Sequence, residues 1–180
     1  MVCPRCITAV EKTLTDLKIP FSQVVLGQAT INIDKALINL DLLDEELKKI
    51  GFELIRDKNQ QLVAEVKALI VSYIHHSGEM DMKINFSDYI SEKTGRDYSY
   101  ISAVFSELQK ITIEKYIIAQ KIERVKELLS YNELTLSEIA YQLNYSSVQH
   151  LSNQFKKTTG KSPSQYKKQD VLGRKTLDKV

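Results

Sequence analysis

The sequence predicts an α+β chain, with a small mixed part at the start and an all-helical part after it. Two short runs, Phe21–Leu26 and Ala29–Ile33, have the composition of strands and turn at Gly27-Gln28. From Leu62 onward, apolar residues instead recur every three or four positions, as they do in amphipathic helices. A polar stretch, Asp57–Gln60, separates the two patterns and predicts a linker between them.

This linker divides the chain into expected domains at residues 1–58 and 62–169, and a flexible basic tail is expected at 170–180. A helix from about Gln61 to His76 opens the second domain or couples the two. It is expected to bury one apolar face, made of Val63, Val66, Leu69, Ile70 and Tyr73.

The first domain is expected to contain two helices around its strands. The first helix carries its apolar residues on one face: Ile7, Val10, Leu14 and Leu17. After the two strands, a second helix at Leu42–Ile50 ends at Gly51, and a last strand follows at Phe52–Ile55. The predicted order after the cysteines is therefore α, β, β, α, β.

Two cysteines, Cys3 and Cys6, stand two residues apart just where the first helix begins. Two thiolates at this spacing can bind one soft cation such as Cu(I) or Zn(II). The helix dipole stabilises a thiolate at Cys6, and Arg5 adds positive potential. We therefore expect Cys3 and Cys6 as metal ligands, with a redox-active thiol pair as the alternative.

The segment resembles a heavy-metal-associated domain in Met1, Cys3, Cys6, Val10 and the Gly51-Phe52 step. The resemblance implies a small ferredoxin-like fold, but that fold has a strand before the methionine of the motif. Three explanations stay open. The native start lies upstream of Met1, another subunit supplies the strand, or the metal function is gone and a structural or dimerising part remains.

The most informative stretch is Leu134–Lys168, which predicts a helix-turn-helix. Its first helix has Ser137 as the expected N-cap and buries Ile139, Ala140 and Leu143. Asn144 suits a left-handed turn without glycine, and Tyr145 is expected to pack beneath that turn.

The second helix of this motif is expected to start at a cap on Ser146 or Ser147 and to run to about Thr159. Gly160 ends it, and Pro163 is expected to stop it from restarting. Leu151 and Phe155 face inward, whereas the outward face has no acidic residue. We expect this face to contact DNA through Ser147, Val148, Gln149, Ser152, Asn153, Lys156 and Lys157. The alternative is a surface helix of an ordinary helical bundle.

The stretch resembles the C-terminal helix-turn-helix of AraC/XylS-type transcription regulators. The matching positions are Ser137-Glu138-Ile139-Ala140, Tyr145-Ser146-Ser147, His150-Leu151-Ser152, Phe155-Lys156-Lys157, Thr159-Gly160, and Ser162-Pro163-Ser164 with Tyr166. The resemblance implies double-stranded DNA as the partner, and RNA polymerase as a second one. Asn153 departs from it, because the family often has arginine there.

A weaker copy of the motif occurs at Phe86–Leu108, as the resemblance implies. Phe86, Tyr89 and Ile90 form its first apolar face and Gly95 closes that helix. The next helix turns Ile101, Val104 and Phe105 inward, and its expected DNA-facing residues are Ser99, Tyr100, Ser102, Ala103 and Ser106. This face lacks basic residues, and Glu107 lies close by. It should therefore dock weakly or read DNA shape, or else serve as structural support.

A connector helix beginning at Ile113 is expected to join the two motifs and to bury Ile122, Val125, Leu128 and Leu129. The AraC arrangement implies two recognition helices about one turn of DNA apart, ~34 Å, in successive major grooves.

Charge supports a nucleic-acid partner for the end of the chain. Residues 140–180 hold eight basic and two acidic residues, whereas residues 1–80 and 81–139 each carry a net charge of −2. There is no apolar run of membrane-spanning length and no signal-peptide pattern, so we expect a cytoplasmic protein. As a separate expectation, the chain is a monomer or a weak homodimer. Neither a phosphate loop nor a catalytic triad or carboxylate pair stands out, and we expect no enzyme.

The three histidines give no further site. His75 and His76 are expected as solvated residues at a helix end, ahead of a loop at 75–82. His150 is expected either to support the turn or to touch a phosphate.

Two functions follow. The first is a DNA-binding transcription regulator, with the added hypothesis that a metal at the cysteines adjusts its DNA affinity. The second is a metal-binding chaperone or sensor module whose helical half binds protein.

Overall fold

A computed structural model describes residues 1–76 and 85–168. The expected tail at 170–180, and most of the expected loop at 75–82, lie outside the described residues. Residues cluster into two compact units, one at Met1–Leu69 and one from Ile70 onward. The division falls inside a helix, later than the polar stretch at Asp57–Gln60.

The first unit contains two helices and a two-stranded antiparallel sheet ahead of the helix that crosses the division. Its elements are α1 (Pro4–Asp16), β1 (Phe21–Val25), β2 (Gln28–Ile31), α2 (Leu40–Lys49) and most of α3 (Lys58–Val71). A 3₁₀ turn at Lys35–Leu37 precedes α2. The buried centre consists of Val10, Leu14, Val24, Leu43 and Leu47.

The strand expected at Phe52–Ile55 is wrong, because this segment belongs to no strand. Its backbone amides are used locally. The amide of Phe52 donates to the carbonyl of Leu47 at 2.9 Å, and the amide of Leu54 donates to the Asp44 carboxylate at 2.8 Å. Neither amide is therefore available to a sheet. The two strands alone leave the ferredoxin-like arrangement unconfirmed.

The expected linker at Asp57–Gln60 is also wrong in part, because α3 already begins at Lys58. The Asp57 carboxylate accepts the amide of Gln60 at 2.8 Å, and its carbonyl accepts the amide of Gln61. Asp57 therefore caps the helix. The polar residues that suggested a linker are those that start a helix.

The second unit is helical throughout its described residues. After a π-helical turn at Ser72–His76, it contains α4 (Phe86–Thr94), α5 (Tyr98–Gln109), α6 (Ile113–Tyr131), α7 (Leu136–Gln142), α8 (Val148–Thr159) and α9 (Pro163–Lys168). Helices α4 and α5 form the first expected motif, α7 and α8 form the second, and α6 is the connector. Pro163 begins α9 rather than preventing a further helix, because proline suits the first turn of a helix.

The connector α6 is buried along most of its length. Phe105 of α5 packs edge-on against Tyr116 with ring centroids 5.7 Å apart. Farther along, Ile122, Val125, Leu128 and Leu129 enter a cluster with Ile139, Ala140, Leu143, Leu151 and Phe155. This confirms the expected buried residues of the second motif and the connector. In the first motif Ile90, Ile101, Val104 and Phe105 are buried as expected, whereas Phe86 and Tyr89 are half-buried.

His75 is not solvated, contrary to the expectation. It is 8% exposed, and its Nε2 lies 3.0 Å from Oε1 of Gln120 in α6. Its Nδ1 lies 3.7 Å from the Glu127 carboxylate. The π-helical turn places this side chain against α6. The sequence pattern, two histidines at the end of a helix, did not predict this contact. The side chain of His76 lies outside the described residues.

Each helix of the second motif starts at a side-chain cap. Thr135, and not Ser137 as expected, caps α7, and it forms a capping box with Glu138. Ser147 caps α8 by accepting the amide of His150 at 3.1 Å, as one of the two expected serines. Asn144 adopts a φ of 53° between the helices, which confirms the left-handed turn.

Helix α5 is capped differently, by the carboxylate of Asp97. This carboxylate accepts the amides of Ser99 and Tyr100 and the Ser99 hydroxyl. These hydrogen bonds, from the Ser99 side chain first, hold the pKa of Asp97 below its usual value.

We predict that Thr135→Ala lowers the free energy of unfolding by about 1 kcal/mol, because it removes the acceptor for the amide of Glu138. Ser137→Ala is the matched control. Ser137 is exposed and lies inside α7, so its loss should change the free energy by less than about 0.5 kcal/mol. Urea unfolding measures both variants, and a larger effect from Ser137→Ala would contradict the assignment of the cap.

We predict that Asp97→Asn removes a pH-dependent contribution to stability. Folding depresses the pKa of Asp97, so its contribution is present above the pKa of the unfolded carboxyl and is lost as pH falls through the folded value. The melting temperature of the wild type should exceed that of Asp97→Asn at neutral pH, and the difference should shrink in acid. A difference that stays constant between neutral pH and pH ~2 would contradict the prediction.

Candidate nucleic-acid interface

The outward face of α8 presents polar and basic side chains on a helix held from behind. Leu151 and Phe155 are fully buried and fix the inward face. Of the expected contact residues, Ser147, Gln149, Asn153, Lys156 and Lys157 are exposed. The structure therefore brings Gln149, Asn153, Lys156 and Lys157 together on one face at helical spacing, with Ser147 at the start of the helix.

Two expected contact residues of α8 are only partly available. Ser152 is half-buried, and Val148 is half-buried because it packs against the cluster beneath the helix. Val148 therefore contributes mainly to the packing of α8 against this cluster, whereas the sequence predicted a DNA contact.

The two amides expected to read bases are hydrogen-bonded to each other. Nε2 of Gln149 donates to Oδ1 of Asn153 at 3.0 Å, one helical turn away. This bond leaves Oε1 of Gln149 as an acceptor and the amino group of Asn153 as a donor, which are the two functions that an adenine edge pairs with. The two amides therefore form one hydrogen-bonded unit rather than two independent side chains.

The start of α8 is favourable to a phosphate group. Its cap, Ser147, is neutral, and no acidic residue lies in the first turn. The free amides and the helix dipole make such a terminus positive. Lys156 and Lys157 lie in the last turn and extend the positive character along the helix.

His150 supports the turn before α8. Its Nδ1 lies 2.9 Å from Oγ of Ser146, and its ring stands edge-on to Tyr145 with centroids 5.5 Å apart. Tyr145 is itself half-buried beneath the turn, as expected, and burial raises its pKa. These contacts favour the structural alternative for His150.

The outward face of α5 is less suited to DNA. Ser99, Tyr100 and Ala103 are exposed, whereas Ser102 and Ser106 are half-buried. Asp97 places a carboxylate at the start of the helix, where it opposes a phosphate, and it also engages the Ser99 hydroxyl. The sequence pattern showed the missing basic residues but not this carboxylate, although an aspartate directly before a helix is a recognisable cap signal.

One cation near α5 is held by an aromatic ring. The guanidinium of Arg96 lies 5.9 Å from the centroid of the Tyr100 ring. Arg96 was not among the expected contact residues. It supplies positive charge beside Asp97 at the start of α5.

The two cysteines lie close together at the start of α1. Their Sγ atoms are 3.4 Å apart, both thiols are free and both residues are half-buried. Burial raises the pKa of Cys6, but hydrogen bonds to Val2 and Cys3 outweigh it, and the net pKa is below the ordinary value. Among the described residues, no group of three or more His, Cys, Asp or Glu side chains is placed to hold a metal ion.

Within the same described ranges, no helix combines the length and apolar character that crossing a bilayer requires.

Residues 90–169 match the family model of a helix-turn-helix domain. An uncharacterised HTH-type transcriptional regulator of Staphylococcus aureus is 28% identical over 156 residues, which cover 76% of this chain and 20% of that protein. The Msm operon regulatory protein of Streptococcus mutans is 26% identical over 156 residues, covering 83% of this chain and 55% of that protein. The chain thus spans about a fifth of the first relative and about half of the second.

A solved transcriptional regulator from Chromobacterium violaceum, described as containing an AraC-type DNA-binding domain, has a similar fold. The TM-score is 0.54 at 18% identity, and the match covers 63% of this chain and 96% of that one. Residues 90–169 are therefore similar to helix-turn-helix domains, and the fold of the matched part of the chain is similar to that of this regulator.

Proposed function

We propose that this chain is a DNA-binding transcription regulator whose helix α8 enters the major groove and reads bases. The outward face of α8 is the observation that carries the proposal. It is free of acidic residues, and it carries the hydrogen-bonded amides of Gln149 and Asn153 beside Lys156 and Lys157. The names of the relatives, which describe transcriptional regulators, support the same function.

Within this proposal, the side chains of α8 have separate roles. Gln149 and Asn153 read a base edge as one unit, and Ser147 and Ser152 add polar contacts beside it. Lys156 and Lys157 bind phosphates and carry no sequence information. Val148 supplies an apolar contact at the edge of the face.

Helix α5 is proposed as the weaker of two reading helices, placed one turn of DNA away in the next groove. Ser99, Tyr100, Ser102, Ala103 and Ser106 are its contact residues, and they offer shape and hydroxyl groups rather than charge. The carboxylate of Asp97 further weakens its hold on phosphate. RNA polymerase as a second partner, and a monomer or weak homodimer as the assembly, belong to the same proposal.

We predict that Gln149→Ala and Asn153→Ala each reduce preference for a duplex that the wild type has selected from a random library. The double variant should lose little more than either single one, because the two amides act together. Each single change should cost roughly 1–3 kcal/mol of discrimination against random duplex. Fluorescence anisotropy on both duplexes measures this.

Lys156→Ala is the comparison variant. It should weaken binding to both duplexes alike. It should also make the slope of log K against log salt less negative by about 0.9. Equal losses on selected and random duplex for Gln149→Ala and Asn153→Ala would contradict the base-reading role. No binding of any duplex at low salt and micromolar protein would favour the alternative, in which the helical unit binds protein.

We also propose, as a second function, that Cys3 and Cys6 bind a soft metal ion. The observation in its favour is the 3.4 Å separation of the two Sγ atoms at the start of α1. Zinc ordinarily takes four ligands, and the described residues place no third ligand beside the thiols. Cu(I), which thiolates select, therefore fits the pair better than Zn(II).

We predict that the chain competes with bicinchoninic acid for one equivalent of Cu(I), and that Cys3→Ser abolishes this competition. Zn(II) should bind much more weakly. Retention of Cu(I) by Cys3→Ser, or equal affinity for Zn(II), would contradict the dithiolate site. Measuring DNA affinity with and without Cu(I) then tests a regulatory link, and an unchanged affinity would remove it.

A further inference from the structure

The side chain of Lys121 connects the connector helix to the turn of the second motif. From α6, its Nζ donates to the carbonyl of Leu143 at 2.8 Å. Leu143 is the C-cap residue of α7, and a carbonyl at a helix end has no partner within its own helix. Lys121 therefore satisfies an acceptor at the point where the chain turns toward α8.

The same ammonium group also lies against the aromatic residue of the turn. It is 5.3 Å from the centroid of the Tyr145 ring, within the range of a cation–π contact. Asn144 lies between the two contacted residues and has the left-handed φ of 53°. Both sides of the strained turn position are thus held by one lysine.

Tyr145 passes this contact on to α8. Its hydroxyl donates to Oε1 of Gln154 at 2.7 Å, and its ring stands edge-on to the ring of His150. Gln154 and His150 lie one turn apart on α8, between the outward and the buried face. Three elements, α6, the turn and α8, are therefore joined through two side chains.

Lys121 is poorly placed to bind a phosphate. It is half-buried, and burial lowers its pKa. Its ammonium already faces the Leu143 carbonyl and the ring of Tyr145. By contrast, Lys156 and Lys157 are exposed on α8.

We propose that Lys121 and Tyr145 are positioning residues for DNA reading, which fix the orientation of α8 relative to α6 without contacting DNA. This inference rests on the proposed function of α8. A small rotation of α8 would misplace Gln149 and Asn153 against a base edge, whereas flexible lysines on the surface would still reach phosphates. Loss of the contact should therefore reduce sequence preference more than general affinity.

The test compares Lys121→Met with the wild type on the selected duplex and on random duplex, over a range of salt concentrations. We expect roughly a tenfold loss of affinity for the selected duplex, unchanged affinity for random duplex and an unchanged salt slope. Lys121→Arg keeps a cation and donors over the ring, so it should restore most of the lost affinity.

Two further variants separate positioning from other causes. Lys12→Met removes the same charge from an exposed site in α1 and should leave both affinities unchanged. Tyr145→Phe removes only the hydroxyl that binds Gln154 and should give a smaller loss with the same signature. It serves as the test if Lys121→Met fails to fold.

The contrary result is that Lys121→Met loses equal affinity for both duplexes, with a slope of log K against log salt that is less negative by about 0.9. This result would show a phosphate contact and overturn the proposal. Unchanged affinity for the selected duplex would overturn it as well.

If the wild type selects no duplex, the proposed function fails. Amide hydrogen exchange of the free protein then tests the contact, since Lys121→Met should speed exchange at Asn144 and Tyr145 but not in α5. Unchanged exchange would overturn the contact itself.

Discussion

The packing of α6 determines where α5 and α8 lie. Its buried face runs from Ile113 to Leu129, and it touches α5 near the start and α7 and α8 farther along. The buried residues of the second motif share one cluster with this helix, and Phe105 of the first motif packs against Tyr116. Polar residues on the same face are also paired: Lys126 donates to the Glu123 carboxylate at 2.7 Å, and Gln120 contacts His75. Rotation of α6 would separate Gln120 from His75, so this pair fixes the rotation of the helix as well as its position. The Lys126–Glu123 pair lies within α6 and does not depend on its rotation.

Two motifs built on one helix have nevertheless become chemically different. Helix α8 begins with a neutral serine cap and ends with lysines, whereas α5 begins with an ionised aspartate. Ser147 accepts one amide of the first turn and Asp97 accepts two, so both caps stabilise a helix start and the difference has little effect on the fold. The difference affects phosphate binding instead. A carboxylate at a helix start repels a phosphate, whereas a neutral serine does not. This contrast supports unequal roles for the two helices.

The sequence predicted those features that depend on neighbouring residues. Ser147, Asn144 and Gly160 each act within one turn of chain, and all three lie as expected. Features that depend on distant partners were missed. Asp44 captures the amide of Leu54 and prevents the last strand, Gln120 draws His75 into the interior, and Lys121 reaches the carbonyl of Leu143. No local pattern contains those pairings. The choice of Thr135 over Ser137 as the cap is different, because Thr135 and Glu138 form a capping box that is readable from their spacing in the sequence.

The central claim is that α8 is the main reading helix. Chemical-shift mapping of the backbone amides, while the wild-type chain is titrated with its selected duplex, tests this claim most directly. We expect the largest shifts on Ser147–Lys157, smaller shifts on α5 and little change in the first unit. Largest shifts on α5, or on the cysteine end of α1, would contradict it.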